Sequence, residues 1–144
     1  MLKIGESLLE QLRLHGEETY PHECCGVLLG NIGDGEKQVH AVVRCANVRT
    51  DSPHNRYHID PRELIRIQRE ARQRELDIIG FYHSHPDHPA RWSKTDLEEA
   101  HWFGCSYVIT SVDKGRAAQT NSFLLRGEDE ERKQFEDEPL QVEV

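Results

Sequence analysis

Two histidines and an aspartate in one short stretch could hold a metal ion. Residues 80–96 read GFYHSHPDHPARWSKTD, and the apolar start of this stretch is typical of a buried strand running into His83 and His85. Side chains two apart on a strand share a face, so the two imidazoles point the same way and Ser84 points the other way. A carboxylate from the next element, Asp96, would make three protein ligands. The open fourth position is typical of a catalytic zinc site rather than a structural one.

The segment after the histidines also has an interpretation that needs no metal. Prolines disfavour regular structure just after Pro86, and a helix is predicted from Ser93 to Phe103, with Gly104 as its stop. In that helix Ser93-x-x-Asp96 is an N-cap followed by an acid in the first turn. The two histidines could likewise be hydrogen-bonded residues at a strand end. Taken together, the histidine pair and the Ser/Asp pair favour the metal site.

The same residues resemble the signature of a known enzyme family. H-S-H-P followed by Ser93 and Asp96 at this spacing is similar to the motif of the JAMM (MPN+) zinc metallopeptidases. Those enzymes place a glutamate on an earlier strand, and Glu23 in the stretch YPHECCGVLLG matches it. The P-x-E-C-C-G pattern resembles the small bacterial members in particular. The similarity extends from about Tyr20 to Phe123.

The resemblance implies a zinc-dependent peptidase or isopeptidase with one zinc per chain. In this assignment His83, His85 and Asp96 are the metal ligands. Glu23 is the general base and later the general acid, and Ser93 donates a hydrogen bond to the oxyanion. The resemblance also implies the substrate, because small bacterial members cleave after the C-terminal Gly-Gly of ubiquitin-like sulfur-carrier proteins, for instance to remove a cysteine.

The tail of such a substrate is expected in a groove beside the metal. Arg91 and Trp92 immediately precede Ser93, and the loop from Thr50 to Asn55 is expected near the same end of the sheet. A Gly-Gly tail has no side chains, so its specificity must come from backbone pairing and a narrow channel.

The residues alone leave other chemistries open. His88 follows the second histidine closely and could replace Asp96 as a ligand. Cys24 or Cys25 could be a nucleophile with His22 as its partner, although an apolar strand cysteine is more often inert. A zincin H-E-x-x-H motif fails because glycine occupies its last position, and a cytidine deaminase site lacks its C-x-x-C. A non-catalytic MPN-type binding module with a structural zinc is the main alternative function.

Composition favours one soluble globular domain over residues 1–144, with 36% hydrophobic and 31% charged residues. The net charge of -8, concentrated in the acidic segment 127–139, argues against nucleic acid as a partner. No apolar run is long enough to span a membrane, and no signal peptide is evident. Four cysteines without a C-x-x-C pattern indicate free thiols in the reducing cytoplasm. The oligomeric state stays open.

Hydrophobic periodicity and turn residues predict the order α-β-β-(β)-α-β-α-β-β-β. Helices are predicted over 5–18, 61–75 and from Ser93, and strands over 23–29, 38–47, 57–59, 77–85, 105–112, 119–125 and 140–144. The arginines on the outer face of the second helix are interpreted as a solvated surface. This order predicts an α/β fold with a mixed, largely antiparallel sheet flanked by helices. It agrees with the cytidine deaminase-like JAMM/MPN fold that the resemblance implies.

Overall fold

The structure is a computed structural model that describes residues 1–49, 51–52 and 54–144. Its elements are β1 (Leu2–Gly5), α1 (Glu6–Thr19), β2 (Cys25–Gly33), β3 (Glu36–Cys45), α2 (Pro61–Gln73), β4 (Asp77–Pro86), α3 (Lys94–Glu99), β5 (Ser106–Asp113), β6 (Arg116–Arg126), β7 (Gln134–Glu138) and β8 (Leu140–Glu143). Every predicted helix is present, and so is every predicted strand except that over residues 57–59.

The strands of the described residues form one sheet in the order β7-β6-β5-β4-β2-β3-β1-β8. Neighbouring strands are parallel where β1 meets β3 and β8 and where β4 meets β5. The other four pairings are antiparallel. The predicted α/β fold with a mixed, largely antiparallel sheet is therefore confirmed.

The sheet curls until its two edges meet. Its edge strands β7 and β8 are separated in the chain by Pro139 alone, yet they pair with β6 and β1 at opposite ends of the strand order. Near this junction the buried Lys37 ammonium donates to Ser106 Oγ at 2.8 Å and lies 3.8 Å from the Glu138 carboxylate. Because Glu138 also accepts from Ser122 Oγ, the buried charges are both paired and hydrogen-bonded.

Helices cover both faces of the sheet, so each face has its own apolar core. The core beneath α1 joins Leu12 to Leu28, Ile79, Tyr82 and Val108 of the strands. The core beneath α2 joins Ile67 and Ala71 to Val27, Leu29, Phe81 and Tyr107. Neighbouring residues of β2 and β4 thus belong to opposite cores, as expected of central strands with two buried faces.

The prediction of a strand over residues 57–59 is wrong. The backbone of these residues does not pair with any strand of the sheet. The His58 carbonyl accepts from Val48 N at 3.0 Å, and His58 N donates to the side chain of Asn47 at 3.1 Å. The Tyr57 ring stacks on His83 instead of joining a strand face. Local β propensity was overridden by these tertiary contacts.

The helix predicted to reach Phe103 ends at Glu99. Ala100 is buried and has an extended backbone, with φ -86° and ψ 122°. Trp102 leaves the helical path because its indole packs edge-on against Phe81, with ring centroids 5.2 Å apart. Lys133 from the acidic segment caps the shortened helix by donating to Ala100 O at 2.8 Å.

Two strands, β1 and β7, were not predicted. Strand β1 is only four residues long. Strand β7 lies in the acidic segment and anchors its Phe135 between Tyr107 and Trp92, with ring centroids 5.4 and 5.5 Å away. A single aromatic residue among acids gives no apolar alternation, so the sequence carried no strand signal there.

Within the described residues, no helix combines the length and apolar character needed to cross a membrane.

A buried histidine lies between α1 and β4. His15 Nδ1 is 2.8 Å from the Tyr82 hydroxyl, and the Tyr82 ring lies directly over Gly26, where a Cβ would be 2.2 Å from it. Burial lowers the pKa of His15 from 6.5 to about 4, with Arg44 adding to the shift and Glu18 opposing it. The folded protein therefore holds this imidazole neutral.

We expect His15 to make the protein less stable as the pH falls from 6.5 to 4. In that window the unfolded chain binds a proton at this residue that the folded chain does not, so each pH unit costs at most about 1.4 kcal/mol. His15→Gln should flatten this dependence in urea unfolding of the metal-free protein, and the control His40→Gln, on an exposed residue of β3, should not. An unchanged slope in His15→Gln would contradict the assignment.

Candidate active site

Strand β4 places two imidazoles on the α2 face of the sheet. His83 and His85 are 2% and 7% exposed, and their Nε2 atoms are 3.2 Å apart. Ser84 between them faces α1. A Cβ added to Gly16 of that helix would lie only 3.2 Å from the Cβ of Ser84. The predicted alternation of these three side chains is confirmed.

Helix α3 brings a carboxylate to the histidines. Ser93 and Asp96 form a capping box, in which Asp96 N donates to Ser93 Oγ at 3.0 Å and Ser93 N donates to Asp96 Oδ2 at 2.8 Å. The same carboxylate places Oδ1 3.3 Å from His83 Nε2 and Oδ2 3.0 Å from His85 Nε2. The helix cap and the approach to the histidines therefore occur together and are not alternatives.

The three side chains fit a zinc ion by donor type and by spacing. Bonds of about 2.0–2.1 Å to tetrahedral zinc place neighbouring ligand atoms roughly 3.3–3.4 Å apart. The two Nε2 atoms are 3.2 Å apart, and each lies 3.0 or 3.3 Å from one of the two Asp96 oxygens, close to that spacing. His85 Nδ1 donates to Pro89 O at 2.9 Å, which leaves the lone pair on Nε2. His83 Nδ1 is buried without a partner among the described residues. These residues could hold the metal.

The charges at the site favour a neutral His83 beside an ionised Asp96, whereas the pKa of His85 is raised because hydrogen bonding to Asp96 outweighs the opposing effect of burial. Burial lowers the pKa of His83, although Asp96 opposes that shift. Burial also opposes ionisation of Asp96, but the charges and hydrogen bonds of His83 and His85 hold its pKa well below the usual range. Metal ligands of these types bind in the neutral and ionised forms respectively.

Glu23 reaches the site from the segment before β2. It is 3% exposed, and its Oε1 has no hydrogen-bond partner among the described residues. Burial raises the pKa of Glu23 to about 9, and the nearby Asp96 and Glu99 carboxylates add to the shift. A cation in the site would oppose both the effect of burial and the repulsion from these carboxylates, and would favour the ionised form of Glu23.

A cavity lies beside Arg91, Trp92 and Asn55, where the groove was predicted. A cavity of about 350 Å³ is lined by Glu23, His85, Ser93 and Asn55 together with Arg91 and Trp92. Arg91 and Trp92 also line a larger cavity of about 940 Å³, which extends over β6 and the start of β8. Within the predicted loop of residues 50–55, Thr50 and Pro53 lie outside the described residues, whereas Asn55 faces the cavity.

The competing candidates lack a suitable geometry. Among the described residues, the metal-ligand groups of three or more members comprise His83, His85 and Asp96, and the exposed His88 is outside them. Cys24 is buried, and burial raises the pKa of its thiol to about 11. Burial also raises the pKa of Cys25. Both thiols therefore stay protonated and are poor nucleophiles.

Two residues at the site were missed by sequence reasoning. Tyr57 stacks on His83 with ring centroids 4.6 Å apart and planes inclined by 27°. Asn47 donates from Nδ2 to the backbone carbonyl of Glu23 at 3.2 Å. Neither belongs to a local motif, so only contacts between distant parts of the chain reveal them.

Known proteins resemble this chain over most of its length. The family model for prokaryotic homologs of the JAB domain matches residues 5–125. The chain is 36% identical over 108 residues to a desampylase of Haloferax volcanii, covering 75% of this chain and 76% of that protein. It is 33% identical over 117 residues to a probable TtuB-protein conjugate cleaving protease of Thermus thermophilus, covering 81% and 74%.

Two further comparisons agree with these. A CysO-cysteine peptidase of Mycobacterium tuberculosis is 29% identical over 125 residues, covering 87% of this chain and 83% of that protein. A solution structure of a Desulfitobacterium hafniense protein superposes with a TM-score of 0.81 at 28% identity, covering 100% of this chain and 95% of that one. The chain belongs to the prokaryotic JAB-domain family, as the resemblance predicted, and it is a hydrolase of the JAMM type.

We expect Ser93 to stabilise α3 independently of any metal. Ser93→Ala removes the side-chain acceptor of the capping box and should lower the unfolding free energy of the metal-free protein by about 1 kcal/mol. Ser93→Asn should recover most of that loss because asparagine is also a good N-cap. The control Ser7→Ala, at an exposed position of α1, should cost nothing measurable in urea unfolding. Equal stability of wild type and Ser93→Ala would exclude the cap.

Proposed function

We propose that the chain is a zinc-dependent peptidase or isopeptidase that cleaves after the C-terminal Gly-Gly of a ubiquitin-like sulfur-carrier protein. The observation that carries the proposal is the convergence of the two Nε2 atoms and the two Asp96 carboxylate oxygens, with separations of 3.0–3.3 Å, beside the buried Glu23 carboxylate. The printed names of the relatives, a desampylase, a TtuB-conjugate cleaving protease and a CysO-cysteine peptidase, support this substrate class.

The proposed chemistry assigns one task to each residue. Zinc held by His83, His85 and Asp96 would lower the pKa of a water towards about 7 and polarise the scissile carbonyl. Glu23 accepts a proton as general base and returns it to the leaving amine as general acid. Ser93 stabilises the oxyanion, because its Oγ accepts from Asp96 N and thus keeps the hydroxyl proton free to donate.

The groove supports an extended substrate without side chains near the cleaved bond. Arg91, Trp92 and Asn55 border the cavity that contains Glu23 and His85. In the proposal, the glycines of the tail pass through this cavity by backbone contacts. The leaving group, a lysine side chain or a single amino acid, departs on the far side of the bond.

A structural zinc in a non-catalytic binding module is less well supported. A structural site needs a fourth protein ligand to close its tetrahedron. Among the described residues, the group formed by His83, His85 and Asp96 has three members. An open fourth position next to an unpaired carboxylate suits hydrolysis better.

We also propose a cytoplasmic location and a protein rather than a nucleic acid as partner. The four cysteines are free thiols, as expected in a reducing compartment. The net charge of -8 disfavours phosphate backbones.

Removing zinc should abolish hydrolysis while leaving the fold intact. The apolar cores on the two faces of the sheet supply the stability, and neither depends on the metal ligands. We expect a chelator to stop turnover while the far-UV circular dichroism spectrum stays native, and added zinc to restore turnover. Loss of secondary structure on chelation would instead favour a structural zinc.

Substitutions should separate the base from the ligands. Glu23→Gln should keep one zinc per chain and lose about 10²–10⁴-fold in kcat, the usual contribution of general acid–base catalysis. Asp96→Ala should arrive without tightly bound zinc because one of three protein ligands is gone. The control Glu131→Gln, on an exposed residue of the acidic segment, should change neither quantity. Zinc content by mass spectrometry and kcat are measured side by side.

Two results would break these assignments. Glu23→Gln purified without metal would make Glu23 a ligand, and an active, zinc-bound Asp96→Ala would reduce Asp96 to a helix cap. The substrate class is tested with fusions of ubiquitin-like proteins from the same genome, joined through lysine or through a single cysteine. The absence of chelator-sensitive cleavage in all of them would refute the proposed substrate.

A further inference from the structure

Glu23 lies outside the β-ladder, so the sheet alone does not fix its position. Strand β2 begins at Cys25, and the two residues before it have no regular structure. On the α1 side, Cys24 N donates to Ser84 Oγ at 2.8 Å, and Ser84 N donates back to Cys24 O at 3.3 Å. The carbonyl of Glu23 itself is held by Asn47, whose Nδ2 donates to it at 3.2 Å.

The side chain of Asn47 makes four hydrogen bonds to four backbone groups. Besides the bond to Glu23, Nδ2 donates to Arg56 O at 3.0 Å. Its Oδ1 accepts from the backbone N–H groups of Arg49 at 3.0 Å and His58 at 3.1 Å. A carboxamide has two donor hydrogens and two acceptor lone pairs, so its capacity is fully used. The side chain of Asn47 thus links the backbone of Glu23 to both ends of the segment that begins at Arg49 and ends at His58.

The described residues of that segment, 49, 51–52 and 54–58, form a wall of the site and make a second set of contacts to it. Asn55 lines the cavity beside Glu23, and Tyr57 stacks on His83. Arg49 and Arg56 both reach the carboxylate of Glu99, at 3.4 and 3.0 Å. Glu99 is the last residue of α3, the helix that carries Asp96. The wall therefore contacts both β4 and α3, the two elements that carry the proposed metal ligands.

We infer that Asn47 is a positioning residue for Glu23. It fixes the backbone from which the carboxylate reaches the site and links that backbone to the wall facing the substrate. The Oε1 atom of Glu23 has no hydrogen bond to another described residue, so the placement of its carboxylate depends on the placement of its backbone. This inference rests on the proposed function, because it takes Glu23 as the base.

The sharpest variant is Asn47→Asp, which keeps the shape and the acceptor oxygen of the side chain. It replaces the donating Nδ2 with an oxygen that faces the carbonyls of Glu23 and Arg56 and repels both. We expect kcat to fall about 10- to 100-fold, the size of effect caused by a misplacement of roughly 1 Å. Zinc content and the circular dichroism spectrum should stay native, and KM should change much less than kcat.

A matched control lies on strand β3. Gln38 Nε2 donates to Glu143 Oε1 at 2.8 Å, and Gln38→Glu makes the same amide-to-carboxylate change against an acceptor far from the site. This variant should lose stability but keep its kcat. A fall of kcat in proportion to stability in both variants would reduce Asn47 to a structural residue and overturn the inference.

Amide hydrogen exchange gives a measure that needs no turnover. In Asn47→Asp, peptides covering residues 22–25 and 54–58 should lose protection together, whereas Gln38→Glu should leave both unchanged. Native protection in Asn47→Asp, or lost protection with full kcat, would overturn the inference. If the wild type cleaves no substrate, the proposed function fails. The exchange data still test whether Asn47 links Glu23 to the wall. Loss of protection in both peptides supports this link, and unchanged protection excludes it.

Discussion

Strand β4 is paired on both sides, with β2 and with β5, and its side chains alternate between the two helical layers. Tyr82 and Ser84 face α1, where they join the core and hold the segment before β2. His83 and His85 face α2 and α3. Two ladders oppose any slip of this strand, and a slip by one residue would exchange the two faces. The pairing of the central strands therefore fixes the positions of the two imidazoles relative to each other.

Electrostatics explains why the site favours a cation. Glu23 and Asp96 bring two carboxyl groups into a buried space, and burial raises the pKa of Glu23 to about 9. Asp96 stays ionised because His83 and His85 surround it. A divalent ion held there would offset both negative charges in a region of low dielectric, where unpaired charge is costly. The capping box also holds Asp96 in place, because Oδ2, the oxygen that faces His85, accepts from Ser93 N.

Local patterns predicted the elements that have strong local causes. The apolar run before His83 predicted β4, and Asp60 with Pro61 predicted the start of α2, where Asp60 accepts from the backbone of Arg62. Predictions failed where distant contacts outweigh local preference. The acidic β7 exists because the half-buried Phe135 packs against aromatic residues of other elements. Trp102 ends α3 early for the same kind of reason.

The sequence by itself determined the candidate ligand set. Strand alternation makes His83 and His85 parallel, and the capping box orients Asp96, because both patterns depend on residues at most three apart. Only the tertiary structure decided how Glu23 approaches them, through the register that places Cys25 opposite His83. It also decided that Asn47 and Tyr57 belong to the site. These contacts join residues far apart in the chain, and their geometry is set by strand pairing and packing, which no local spacing encodes.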